Sequence, residues 1–548
     1  MRTEQENKEI AQLLFPDVND SVSDILGMFP KRSLKEGELV TRFAPSPTGF
    51  LHVGSVYTSF INRKLADQTD GICILRIEDT DKVREIEGGV DLIINGLKEF
   101  GIKFDESIEK GEYGPYIQSR RLDIYKVFAK DMVEKGNAYP CFITKQELEE
   151  IRNKQNELGV RTGYYGTWAK WRDASITDIK EALNKKDKFV IRLYSTGKFE
   201  EKFSFNDLIK GTVTFSSNDM DAVLLKSDGY PTYHFAHPID DTLMGVNLAL
   251  RGDEWFPSVP LHLELFDKLG FKRIQYAHVS PLMKMDGSGK RKLSKRKDPE
   301  ADAQFFLTNG YPIGALMEYF LNIMNSSFAD WRKQNPCLNY SEFQLKLEKF
   351  NKAGALFDMV KLTDVSKEYI SRLNAEEVYE YVLNWSKKYD SNIANRLTMN
   401  KDYCVNIFNI EREGSKVRKD LAKWSDVSML FEIFFDDLFS RMDKDSVNMD
   451  KELQITILRD FLDTLYFGDS KDEWFSKVKS TAIKNGFSAD YKEYEKNPSN
   501  FKGKVGDVAM ILRVAITGRK QSPDLFEAMQ VIGEERSRAR INEYINSL

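Results

Sequence analysis

The chain is poor in several things, and each shortage narrows what it can be. Its four cysteines, Cys73, Cys141, Cys337 and Cys404, are scattered without a pairing pattern. That excludes a disulfide framework and fits a reducing, cytoplasmic setting. No apolar run reaches the ~18 residues that a membrane span needs, so no membrane partner is expected. The start of the chain is acidic (Glu4, Glu6, Glu9) and has no apolar core, so neither a secretory signal nor a transit peptide is expected. There is no internal repeat and no low-complexity tract. With a net charge of −5 the chain also lacks overall basicity. A polyanionic partner would have to be met by local basic faces. What is plentiful is length and apolar content. At roughly 150 residues per domain, 548 residues predict three or more domains, and 41% apolar residues are ample for their cores.

The chain is organised around Thr41-Arg-Phe-Ala-Pro-Ser-Pro-Thr-Gly-Phe-Leu-His-Val-Gly-Ser55. Leu39 to Phe43 reads as a buried parallel strand. Two prolines and Gly49 force an irregular turn. Ser55 to Ala66 reads as an amphipathic helix, which places His52 where a strand ends and a helix begins. The N–H groups and positive dipole end of that helix make a natural phosphate site, and Gly54 leaves room for a nucleotide. Alone, the stretch also describes a strand–turn–helix corner with a structural histidine.

A second stretch, Lys290-Arg-Lys-Leu-Ser-Lys-Arg-Lys297, has six basic residues of eight. It could be a solvated charge run. It follows Met285-Asp-Gly-Ser-Gly289, which reads as a flexible segment. Together they suit a mobile loop that closes cations over a polyphosphate as charge develops on leaving pyrophosphate.

Pro45 to Ser55, ending in His52-Val-Gly-Ser55, resembles the "HIGH" element of class I aminoacyl-tRNA synthetases. Lys292-Leu-Ser-Lys-Arg296 resembles their "KMSKS" element. Phe43-Ala-Pro-Ser-Pro-Thr-Gly49 and Arg76-Ile-Glu-Asp-Thr-Asp81 are similar to the glutamyl branch of that family, and Val505 to Gly518 with Gln521-Ser-Pro523 is similar to the all-helical anticodon-binding module of its bacterial form. The glutaminyl branch usually has Pro-Glu-Pro-Asn-Gly where this chain has Pro45-Ser-Pro-Thr-Gly49. A synthetase-like protein that binds RNA without catalysis is a third reading. A short relative that glutamylates a modified tRNA base is a fourth, but it lacks an anticodon domain.

The resemblance implies an α/β fold: a Rossmann-like parallel-sheet catalytic domain with an acceptor-binding insertion, followed by an all-α C-terminal anticodon-binding domain. The expected segments are an N-terminal extension over 1–37, the catalytic halves over 38–115 and 211–302, and the insertion over 116–210. A stem-contact domain over 303–375 and a helical anticodon domain over 376–548 complete the chain. The family does not usually have so long a leading segment, although Asn7 to Phe15 has helical spacing suited to docking on the body. Gly71 to Glu78 is read as the second strand, Glu87 to Phe100 as a helix, and Phe189 to Tyr194 as a strand of the insertion. The sheet is expected to resume with Ala222 to Lys226 and Pro231 to Ala236, then Leu248 to Arg251 and Tyr276 to Val279.

By the same resemblance the reaction has two steps. The α-carboxylate of L-glutamate attacks ATP to give glutamyl-adenylate and pyrophosphate, and the terminal ribose of tRNA(Glu) then takes the acyl group, with tRNA(Gln) left open as a second acceptor. The first step needs in-line placement and charge neutralisation rather than a protein nucleophile. His52 and Lys295 are the candidate catalytic residues, with Gly54, Lys292 and Arg296 also binding ATP and its Mg²⁺. Arg42, Ala44, Ser46, Glu78, Tyr233, His237 and Arg251 are the candidate glutamate site. Glu78 would take the ammonium group, and Arg251 and Tyr233 the side-chain carboxylate. Read without the family, Arg251 could instead pair with Asp240 or Asp253.

Some members carry zinc in the insertion, beginning at a Cys-x-Cys step. Here the step is Cys141-Phe-Ile143, and the later region Tyr164-Tyr-Gly-Thr-Trp168 has no ligand, so no zinc is expected. Candidate tRNA contacts are Arg513, Thr517 and Pro523. The family's anticodon-reading arginine aligns near Arg412 or Gly414. A monomer is expected.

Overall fold

The computed structural model describes residues 2–294, 296–414, 416–443 and 447–548. Lys295 lies outside the described residues. The chain forms two compact units. One comprises Met1–Phe305 with Met317–Asp358, the other Phe306–Leu316 with Met359–Leu548.

The first unit is built on parallel strand pairs. Val40–Phe43 is buried along its whole length and pairs in parallel with Ile72–Leu75. Leu248–Gly252 pairs in parallel with Gln275–Val279. Runs buried on both faces read as near-continuous apolar sequence, as Ile72–Leu75 and Leu248 to Leu250 do, whereas Thr41, Arg42, Arg251 and His278 are buried polar residues on these strands. Asn247 stitches the two pairs side by side. Its N–H donates to Val40 O at 3.1 Å, and its side chain accepts from Val40 N at 2.8 Å and donates to Glu38 O at 2.8 Å. The crossover helix Val53–Asp67 buries Val56, Tyr57, Phe60, Ile61 and Leu65, the 3–4 residue spacing of a stripe facing a sheet. The strand ends therefore converge where that helix begins, the usual ligand edge of an open α/β sheet.

Two readings of the middle of the chain are corrected. Val223–Leu225 does not resume the parallel sheet. It pairs antiparallel with Val190–Leu193, which in turn pairs with Ala138–Cys141. Pro231 to Ala236 is not a strand either, because Tyr233–Leu243 is a helix. Alternating Tyr-His-Phe-Ala resembles a strand over four residues, but Phe235, Ala236 and Ile239 fall on one buried helical face.

The segment Met285 to Gly289, expected to be flexible, is the tip of a β-hairpin. Leu282–Asp286 pairs with Gly289–Lys292, Asp286 facing Gly289. A two-residue turn of this kind needs positive φ, which Gly287 supplies at 60°.

The leading segment is part of this unit. Helices Glu4–Leu14 and Val22–Met28 both start with capping boxes, at Thr3 and Ser21. Ile10, Ala11, Phe15 and Ile25 are buried in one core with Tyr125, Phe128 and Met132. Arg32 forks onto Glu106 at 2.8 and 2.7 Å, donates to Met244 O at 2.7 Å, and lies 3.8 Å from the Tyr113 ring centroid.

In the second unit the described residues contain no strand, only a single bridge between Ser488 and Lys504. Its helices share a core that includes Val378, Phe408, Phe431, Phe461, Leu512 and Ile541.

Candidate active site

His52 is the N-cap of the helix Val53–Asp67. Its Nδ1 accepts the Gly54 N–H at 2.9 Å, so in the neutral ring the proton resides on Nε2, a donor. Gly54 is required by the fit as well. A Cβ there would stand 3.0 Å from the same Nδ1 and crowd the ring out of its cap.

The strand ends, this helix start and the hairpin enclose one cavity of about 450 Å³. Nine candidate residues line it: Arg42, Ala44, Ser46, His52, Gly54, Glu78, Tyr233, Arg251 and Lys292. The cations in it are not equivalent. Arg42 is buried and donates from Nε to Asp241 at 3.0 Å. Asp241 also takes Arg76 Nη1 at 2.6 Å. Burial alone would raise Asp241, but Arg42 and Arg76 hold it well below the usual carboxylate range. Arg251, also buried, has no carboxylate within ion-pair distance among the described residues. Asp240 is taken by Arg121 and Asp253 by Lys210, so neither forms the alternative ion pair. Arg251 donates instead to Tyr233 Oη at 3.0 Å, His278 Nε2 at 3.0 Å and His262 Nδ1 at 3.1 Å. A buried guanidinium held only by neutral groups keeps its full charge for an incoming anion.

Glu78 is buried beside Arg76, whose Nη2 is 3.1 Å from Oε1. Burial pushes it up to about 7, against the pull of Arg76 and Arg42. Its neighbour Asp79 accepts the Ser119 N–H at 2.8 Å and Lys82 at 2.9 Å.

His237 does not line the cavity. It is fully buried behind Tyr233, with Nε2 2.7 Å from Tyr276 Oη and Nδ1 2.9 Å from Asp241. Burial lowers its pKa to about 3. Arg296 is exposed and stands outside the lining. In the basic run, Arg291 is forked onto Asp298 at 2.6 and 2.7 Å, while Lys292 Nζ reaches Glu254 only at 3.9 Å. Sequence reasoning missed Trp255, whose ring centroid is 4.1 Å from that of Tyr233, and the buried His262 and His278. Their signal was compositional: the chain has five histidines in all, and four of them gather around Arg251 and Tyr233.

Cys141 and Tyr164, at the step and the later region where some members carry zinc, meet in the structure. The Cys141 thiol is buried and donates to Tyr164 Oη at 3.4 Å, with the Arg192 guanidinium 4.3 Å from the Tyr164 ring.

In the helical unit, Arg513 lies on the helix Val505–Thr517 and donates to Ser522 O at 3.1 Å, to Ser522 Oγ, and to Pro523 O at 2.9 Å. Thr517 and Pro523 are buried and frame this turn without facing solvent. Arg412 is spent on three carbonyls, Phe408, Ile370 and Leu373. Three further arginines near the C-terminus are buried or half-buried. Arg540 is buried and donates to Ile433 O and Ile516 O, Arg538 to Leu462 O and Leu465 O, and Arg536 to Phe434 O. These arginines cap the unsatisfied carbonyls of helix ends.

The family described as "tRNA synthetases class I (E and Q), catalytic domain" matches residues 38–364, and "Anticodon binding domain" matches 375–545. The chain is 45% identical over 547 residues to a glutamate–tRNA ligase of Clostridium perfringens (strain SM101 / Type A), covering 98% of this chain and 99% of the relative. It is 45% identical over 545 residues to a glutamate–tRNA ligase of Acetivibrio thermocellus, covering 98% and 100%. The uncovered share is too small to hold residues 1–37, so these relatives share most of the leading segment. A crystal structure of a glutamate tRNA ligase from Elizabethkingia meningosepticum, in complex with its amino acid, is 27% identical with a TM-score of 0.73, covering 93% of this chain and all of that one.

Proposed function

Because the chain belongs to the class I tRNA synthetases of the glutamate and glutamine type, we propose that it is a glutamate–tRNA ligase, activating L-glutamate with ATP and passing the glutamyl group to tRNA(Glu). The observation that carries this reading is Arg251: a buried cation with no carboxylate partner among the described residues, lining one cavity together with Glu78, His52 and Lys292.

In this reading Arg251 and Tyr233 take the side-chain carboxylate, Glu78 the ammonium, and Arg42, Ala44 and Ser46 complete the amino-acid pocket. A neutral glutamine side chain would leave the buried guanidinium unpaired, a penalty of about 2–5 kcal/mol. His52 Nε2–H and the amides of the helix start meet the phosphates of ATP, where negative charge grows as pyrophosphate leaves. Lys292 supplies a cation from the hairpin side, and Lys295 and Arg296 follow it in sequence. Mg²⁺ would come with the triphosphate. Among the described residues no three His, Cys, Asp or Glu side chains gather into a metal cage. The insertion would hold the acceptor end, and the helical unit the anticodon, with Arg513 presented by the turn at Ser522-Pro523. A cytoplasmic location accords with this reading.

The test is pyrophosphate exchange with glutamate and with glutamine, each with and without tRNA. Glutamate-dependent exchange is expected, strongest with tRNA present. Exchange supported by glutamine and not by glutamate sinks the proposal.

A further inference from the structure

Four of the five histidines, His234, His237, His262 and His278, lie in contact around Arg251 and Tyr233. The hydrogen-bond directions among three of them are forced. A guanidinium only donates, so His278 Nε2, 3.0 Å from Arg251 Nε, carries no proton. The His278 proton is on Nδ1 and is given to Asp207 Oδ2 at 2.7 Å. Asp207 is itself fixed by the N–H groups of Ile209 and Lys210, at 2.9 and 2.8 Å. Likewise His262 Nδ1, 3.1 Å from Arg251 Nη2, carries no proton. His262 therefore donates from Nε2 to His234 Nδ1 at 2.9 Å. Both rings facing the guanidinium are neutral acceptors, and both are fully buried.

A carboxylate in either place would orient Arg251 equally well and cancel its charge. Arg42 shows that outcome in the same cavity, with Asp241 as its partner. Imidazole separates the two effects. It accepts a directional hydrogen bond and adds no negative charge.

We propose that His262 and His278 are positioning residues that set the side-chain specificity of the site: they orient Arg251 through neutral acceptors and so leave its charge for an anionic substrate group. Asp207 and His234 hold the two rings in the accepting tautomer. The inference rests on the glutamate reading above and deepens it.

Three substitutions at His262, in the full-length chain with folding followed by thermal melting, test it. His262→Gln keeps a neutral acceptor, and the glutamate KM in pyrophosphate exchange should stay within about threefold of the wild type. His262→Leu removes the acceptor, and that KM should rise about tenfold or more with kcat within about threefold. His262→Glu sets an anion on the guanidinium, and the ratio of kcat/KM for glutamate over glutamine should fall about tenfold or more. Equal glutamate KM values for the Gln and Leu variants overturn the inference, as does a folded Glu variant with the wild-type ratio. If the Glu variant does not fold, the Gln and Leu pair decides. A wild-type chain that exchanges with glutamine alone overturns the glutamate reading itself, a result distinct from any difference among the variants.

Discussion

Arg76 and Glu78 stand two residues apart at the end of one strand, both buried, with Nη2 3.1 Å from Oε1. Burial pushes Glu78 up to about 7, and Arg76, which also serves Asp241 at 2.6 Å, offsets this only in part. The ordinary value is 4.5, so between these two pH values the folded chain holds a proton that the unfolded chain has lost. The group's cost to folding is therefore absent below 4.5, grows as pH rises from 4.5 to 7 and is full above 7. The ammonium of the substrate needs the ionised form. The glutamate KM should rise about tenfold between pH 8 and pH 6, following loss of the carboxylate. Glu78→Gln should lower kcat/KM for glutamate yet melt higher at pH 8, by an amount on the order of 3 kcal/mol. A pH-independent KM contradicts the assignment.

The hairpin should act on chemistry rather than on affinity. Lys292→Ala and Lys295→Ala should each slow single-turnover adenylate formation by about 10²-fold, the loss of one cation at a developing charge. The glutamate KM should change far less. If activation is unchanged while tRNA binding weakens, the basic run is an RNA-binding patch.

Arg513 gives its hydrogen bonds to the Ser522-Pro523 turn, which aims the guanidinium at a loop rather than at an acidic partner. Single-stranded RNA loops are read by such groups. Arg513→Ala should reduce kcat/KM for charging the whole tRNA by about 1–3 kcal/mol, the value of one base contact. A minimal acceptor-stem RNA should show no penalty. Equal losses with both RNAs make Arg513 a packing residue.

The leading helices should matter to stability and not to the chemical step. Ile10 is fully buried, and Ile10→Ala should cost about 2–4 kcal/mol in unfolding free energy. Denaturant melts measure this. The kcat of the folded fraction should be unchanged.

Purified protein should be active without zinc, since the Cys141 thiol is committed to Tyr164. Chelation with Mg²⁺ in excess should leave charging intact. Stoichiometric zinc, lost together with activity, is the contrary result.

Much of the site was legible in local sequence. A β-branched run, two prolines, His52 and Gly54 specify strand, turn and capped helix through neighbours only, because capping and backbone preference are decided within a few residues. Six of the nine lining residues, Ala44, Ser46, His52, Gly54, Glu78 and Lys292, sit on the short family-like stretches, whereas Arg42, Tyr233 and Arg251 do not. Other features depended on partners distant in sequence. Tyr233 to Ala236 became helical because its apolar side chains could be buried on one face, and four residues do not display a period. The segment Met285 to Gly289 became a hairpin tip because Leu282–Asp286 finds a partner strand on each side. Above all, the state of Arg251 was settled by tertiary structure. Tyr233, His262, His278 and Asp207 come from separate segments, and only their packing decides that this arginine keeps its charge while Arg42 shares its own with Asp241.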